Sequence, residues 1–226
     1  MLTSWERSVE LAYFNHRVIA EINKTQQVNW LLIDFGLDNI GKEEINEALD
    51  RMLLAFNRLF KYKSVQQVHL GYFRMLDILK QGDVYHPRIH ILVPMMKSYF
   101  QGRYYIKRSE WSSLWSRSLG TTESLYVKVK TIKEKEQCEF YSEKLLNFRE
   151  QENESSSVKS KIITPRRFIG YSKLLKNVAD QLKGGKSLYL DMDKFCINDA
   201  VANQALINML TWHPGLREEV GNSLIK

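Results

Sequence analysis

Two apolar stretches, residues 68–79 (VHLGYFRMLDIL) and 88–93 (RIHILV), are separated by a few residues that carry the break Gly82-Asp83. A link this short joins antiparallel strands. Parallel neighbours need a crossover of a dozen residues or more. A doubly wound parallel sheet is therefore excluded. The expected fold class is α+β, an antiparallel sheet with helices packed on it.

The rest of the chain can be read around that hairpin. Residues 30–37 (WLLIDFGL) have strand length and composition, and 125–132 (LYVKVKTI) alternate in strand fashion. Pro94 is expected to end the 88–93 strand. Apolar residues recur at helical spacing over 4–24, 42–60 and 108–118, where Trp111 and Trp115, four apart, share a face. A charged helix is expected over 133–148. Residues 149–160 (REQENESSSVKS) have no apolar period and read as an exposed linker. Beyond it, 168–182 reads as an amphipathic helix stopped by Gly184-Gly185, 188–190 as a short strand and 197–212 as a last helix. The expected organisation is a domain over 1–148, the linker 149–160 and a basic helical segment over 161–226.

Composition narrows the partners. The 226 residues carry a net charge of +7, which favours a polyanion and makes such binding salt-sensitive. Residues 158–176 hold six Lys/Arg and no Asp/Glu. Aromatic and basic residues interleave from Tyr99 to Arg108, with Arg103 and Lys107 among them. This pattern suits phosphate neutralisation combined with base stacking. Cys138 and Cys196 form neither a CxxC pair nor a disulfide framework. No apolar run approaches the roughly 18–20 residues of a membrane span. The N-terminus has no signal-like apolar core. The expected location is cytoplasmic.

Three stretches could carry chemistry. Arg88 and His90 share one face of their strand, and His86 has the same parity across Pro87. Asp77 lies on the neighbouring strand, where a carboxylate can meet an imidazole around a divalent cation. Tyr141 precedes Lys144 by three residues, so on a helix both lie on one face. A tyrosine can attack a phosphodiester, and a lysine can stabilise the charge that develops. Each stretch alone also fits a purely structural role.

Taken in order, the motifs resemble those of the replication initiators of Gram-positive rolling-circle plasmids, a branch of the HUH endonucleases. The blocks are Ala55 to Lys61 (AFNRLFK) with Gly71-Tyr72-Phe73-Arg74, then Tyr85-His86-Pro87, then Glu110-Trp111 with Leu114-Trp115. Cys138-x-x-Tyr141-x-x-Lys144 and Arg166-Arg167-Phe168-Ile169-Gly170 complete the series. The resemblance implies an HUH-like sheet and a protein that binds a plasmid origin, single-stranded or as a hairpin. It implies nicking of one strand through Tyr141, with Lys144 as helper, and later rejoining. It further implies a divalent metal, Mg²⁺ or Mn²⁺, near His90, Asp77 and His86. DNA contacts are expected at Arg88, Arg103, Lys107, Arg108, Arg166, Arg167 and Lys173. A host helicase or polymerase is an expected partner; a membrane is not.

The chain departs from the family pattern at named places. Arg88 stands where the motif His-hydrophobic-His has its first histidine, and a guanidinium is no metal ligand. Leu32-Ile33-Asp34-Phe35 replaces a Thr-Leu-Thr-like strand. The family's upstream cysteine-rich segment is absent from this sequence, as expected of a shortened or decayed copy. Two outcomes stay open: a nicking enzyme, or a DNA-binding relative with impaired cleavage.

Overall fold

The computed structural model describes residues 4–122, 124–133, 168–183 and 197–212. Helix α1 (Ser4–Thr25) leads into strand β1 (Val28–Leu37), followed by α2 (Ile45–Leu59) and the short α3 (Lys63–Gln66). Strands β2 (Gly71–Gln81) and β3 (Val84–Met96) form the expected hairpin. Two 3-10 turns, Lys97–Phe100 and Gly102–Tyr104, lead to α4 (Arg108–Leu119) and β4 (Leu125–Thr131). Strand β5 (Ile169–Ser172), helix α5 (Lys173–Lys183) and helix α6 (Ala200–Leu210) complete the described elements. The expected helix over 133–148, the linker 149–160, the glycine pair and the strand over 188–190 lie outside the described residues.

The described residues fall into two compact units. Those within 27–131 and 162–177 build an antiparallel sheet in the order β4-β1-β3-β2-β5, with β3 in the middle. The fold class is α+β, as expected. Alternation along β1 sends Leu31, Ile33, Phe35 and Leu37 into a core shared with α2 and α4. Ile89, Ile91 and Val93 of β3 join them. Phe35 stacks on Trp115 at 4.8 Å, and Trp111 and Trp115 are fully buried. The opposite parity, Asp34 and Gly36 on β1 with Arg88 and His90 on β3, therefore lies on the other face of the sheet.

In the other unit, α1 packs on α6. Buried His16 meets Asn203 at 2.8 Å, and Asp199 caps α6 by accepting the Ala202 N–H. The burial of His16 holds its pKa down.

Two local expectations are corrected. Strand β3 runs through Pro94 to Met96. Residues of Pro94's parity turn their backbone groups toward β2, as the bond from Leu70 N–H to the Pro94 carbonyl shows. The β2–β3 ladder has ended there, so the missing N–H forfeits no ladder bond. The second correction concerns 168–182. Residues 169–172 are not helical; they pair with β2 as an edge strand, and the helix begins at Lys173. Lys173 has φ +46 and makes the corner. Its ammonium sits 3.3 Å from His69. Burial and that neighbouring charge push the His69 pKa down to about 4.

Candidate functional site

His90 sits near the middle of the central strand and is 3% exposed. Register places Asp34 of β1 directly opposite it, and His90 Nδ1–H donates to Asp34 Oδ1 at 2.8 Å. On the other side Asp77 of β2 is in register with Arg88, not with His90. Its carboxylate reaches His90 diagonally, bringing Oδ2 to 3.7 Å from Nε2. The imidazole thus has a carboxylate on each side. Burial opposes a charge on this ring, but the hydrogen bond to Asp34 and the negative charges of Asp34 and Asp77 outweigh it. The His90 pKa is raised.

A divalent cation fits this pair in part. The Asp34 bond fixes the tautomer and aims Nε2 at Asp77, the usual way a carboxylate orients a ligating histidine. Among the described residues, Asp77 Oδ2 is buried and has no hydrogen-bond partner. Two ligands on one ion, with bonds of about 2.1 Å, stand roughly 3–3.5 Å apart. The observed 3.7 Å is close to that. Among the described residues no group of three His, Cys, Asp or Glu has metal-binding spacing.

His86 is placed elsewhere. The β2–β3 register continues through Pro87 without a break, so no bend carries His86 toward His90. Four residues of strand separate them by about 13 Å, with Arg88 between. His86 Nδ1 instead lies 3.0 Å from Asp38.

Arg88 is clamped on the same sheet face. One guanidinium nitrogen donates to the Leu37 carbonyl at 2.6 Å and to the Pro87 carbonyl at 3.1 Å; the other pairs with Asp38. The guanidinium lies 3.9 Å from the centre of the Tyr126 ring on β4. To get there the side chain crosses β1 at Gly36, its register partner. A Cβ on Gly36 would stand 2.6 Å from both the guanidinium and the Pro87 carbonyl oxygen. On the helix side the Gly36 carbonyl accepts from Trp115 at 3.2 Å. Partial burial would raise the Asp38 pKa, but the Arg88 and His86 bonds prevail and hold it below the usual value.

The other expected DNA contacts are dispersed. Arg103 is exposed and donates to the Tyr104 hydroxyl at 2.9 Å. Lys107 is exposed at the start of α4, and Arg108 reaches the Val127 carbonyl at 3.3 Å. Lys173 is the corner residue beside His69. Tyr141, Lys144, Arg166 and Arg167 lie outside the described residues. The sequence reading did not assign Asp34, Gly36, Asp38 or Tyr126 to the site. A signal existed: in WLLIDFGLD, Asp34, Gly36 and Asp38 share one parity within an apolar strand.

The replication protein family Rep_1 matches residues 2–213. The chain belongs to this family. Among its relatives, the Protein rep of Bacillus amyloliquefaciens is 30% identical, over 97% of this Rep_1 chain and 74% of the relative. The Protein rep of a Bacillus species is 35% identical over 59% of this chain and 44% of its own length. A Replication protein of Staphylococcus aureus is 23% identical over 88% and 94%. The match thus spans less than half of the second of these relatives. No solved structure gives a significant match to this Rep_1 chain. The family match bears out the resemblance to plasmid initiators drawn from the ordered motifs. Among the described residues, no helix is long and apolar enough to cross a membrane.

Proposed function

We propose that this Rep_1 chain initiates rolling-circle replication of a plasmid by nicking one origin strand through Tyr141. The observation that carries this reading is the buried His90, held between Asp34 and Asp77 on the central strand of a chain of the replication protein family. Such a ring has no need of two carboxylates for packing. It suits a centre that handles a phosphodiester.

In this reading the Tyr141 oxygen attacks the scissile phosphorus and gives up its proton. The bond from phosphorus to the 3′ oxygen breaks, that oxygen takes a proton, and the 5′ phosphate stays on the tyrosine. Lys144 stabilises the charge that builds on the phosphate. Attack by a 3′ hydroxyl on the phosphotyrosine reverses the step and rejoins a strand. His90 and Asp77 would hold a divalent cation, with Asp34 fixing the imidazole. When bound, Mg²⁺ or Mn²⁺ supplies positive charge that polarises the scissile phosphodiester. Arg166, Arg167 and Lys173 serve as phosphate contacts.

The test is incubation with supercoiled origin plasmid and Mg²⁺ or Mn²⁺. A detergent-stable protein–DNA adduct is expected, and Tyr141→Phe should abolish it. A second reading, DNA binding without cleavage, is favoured by Arg88: its guanidinium occupies the first histidine position of the motif and is committed to Asp38. Specific origin binding with no adduct under either metal supports that reading instead.

A further inference from the structure

The loop between β3 and α4 is anchored by one buried ring. Tyr99 is buried and ties the loop down: its hydroxyl donates to the Ile106 carbonyl at 3.1 Å and accepts from Trp111 at 3.4 Å. Gly102 is exposed and, with φ +61, takes the left-handed turn conformation that favours glycine. On this pinned base stand two large rings left in solvent, Phe100 at 43% and Tyr105 at 44% exposure. They lie 5.7 Å apart, and each packs edge-on against Tyr99, at 68° and 70°. Each ring is thus held by its aromatic neighbours while a little under half of it stays open to solvent. Beside them the Arg103 guanidinium lies 5.0 Å from the Tyr104 ring. Residues 97–108 (KSYFQGRYYIKR) carry four Lys/Arg and no Asp/Glu.

We infer that this loop is a stacking platform for unpaired bases of single-stranded DNA. Phe100 and Tyr105 are its rings, and Arg103 and Lys107 are its phosphate contacts. The charge is of one sign, which selects a polyanion over a protein surface of mixed charge. Exposed ring faces add nothing to a duplex, whose bases already stack on each other. They do bind bases that are free to lie on them. The inference rests on the proposed function for its choice of DNA, and it adds a surface that the nicking chemistry does not require.

The experiment uses the full chain and fluorescence anisotropy with a labelled oligothymidylate, alone and annealed to oligoadenylate. Replacing both rings (Phe100→Ala with Tyr105→Ala) should weaken single-strand binding on the order of tenfold or more, since a stacked base contributes about that much. Duplex binding should change less than about twofold. Arg103→Ala should lower the salt dependence of single-strand binding by about 0.7 in log–log slope. Phe100→Trp should bind like the parent and show tryptophan quenching on binding beyond that of the parent. Because both rings pack on Tyr99, a lowered thermal midpoint is expected of the double variant, and binding is compared at a temperature where both proteins are folded. If the double variant does not fold, the Phe100→Trp quenching decides the matter.

Undiminished single-strand binding by the double variant would overturn the inference. So would equal losses on single strand and duplex, tryptophan emission of the Phe100→Trp protein quenched no more than that of the parent, or tighter binding of oligouridylate than oligothymidylate. The two proposals fail separately. Platform-dependent binding without any Tyr141 adduct retains this inference and removes nicking. An adduct with ring-independent binding does the reverse.

Discussion

Two clusters lie two residues apart on the same strand, and they use charge in opposite ways. At His90, a buried imidazole faces two carboxylates, one at 2.8 Å and one at 3.7 Å. At Arg88, a guanidinium is enclosed by Asp38, two carbonyls and an aromatic ring. The first holds more negative charge than its one ring can neutralise. The second is balanced within itself. A cluster with surplus charge can take up a cation or a reacting group, whereas a balanced one acts as a brace. The proposed chemistry therefore falls to the His90 cluster, and the Arg88 cluster is read as a brace.

The largest effect should separate them by activity. Asp77→Asn keeps the shape of the side chain and removes the charge facing Nε2. Adduct formation should fall by about 100-fold, with the urea midpoint close to that of the parent. Undiminished adduct formation in Asp77→Asn would remove Asp77 from the site.

Next comes stability. Gly36→Ala places a methyl 2.6 Å from the Arg88 guanidinium and the Pro87 carbonyl oxygen. The guanidinium can swing away, but the backbone oxygen cannot without moving β3. A loss of about 2 kcal/mol is expected in urea unfolding. Adding Arg88→Ala should restore only part of it, because the Pro87 contact persists. Full tolerance of Gly36→Ala would show that Arg88 does not need the groove across β1.

A smaller effect depends on pH. The folded Asp38 pKa lies below its unfolded value. Its contribution to stability is therefore complete above the unfolded pKa, near 3.9, and is lost as pH falls through the lower folded value. Asp38→Asn should lose about 1 kcal/mol at pH 7, and the difference from the parent should shrink below pH 4. A difference constant from pH 7 to pH 3 would show that the clamp does not depend on the Asp38 charge.

The contrast between the clusters was half legible in the sequence. His90 and Asp77 could be paired because the hairpin is local and strand parity is strict. Asp34 could not, since its meeting with His90 depends on β1 pairing with β3 across more than fifty residues. Gly36 was invisible for the same reason: a glycine in a strand gains meaning only when the side chain crossing it is known. Strand β5 was misread because four residues, Ile169–Ser172, run straight into an amphipathic helix. Periodicity cannot separate so short an edge strand from the first turn of that helix. Arg88 was read as a lost ligand, and only the register revealed what it holds.

The smallest effect tests whether the brace is one unit. Tyr126 lies on β4, in register with Gly36, and its ring lies 3.9 Å from the Arg88 guanidinium. Tyr126→Leu keeps an apolar side chain and removes the ring face, so a loss of about 1 kcal/mol is expected. Combined with Arg88→Met in a double-mutant cycle, the two changes should be less than additive, with a coupling of about 0.5–1 kcal/mol. Zero coupling would mean that Asp38 and the carbonyls hold Arg88 alone. Adduct formation should be the same in Tyr126→Leu as in the parent, because Tyr126 and His90 lie on different strands, β4 and β3, with β1 between them. A change in adduct rate matching the change in stability would join the two clusters into one catalytic unit. The division between a reactive end and a braced end of β3 would then fail.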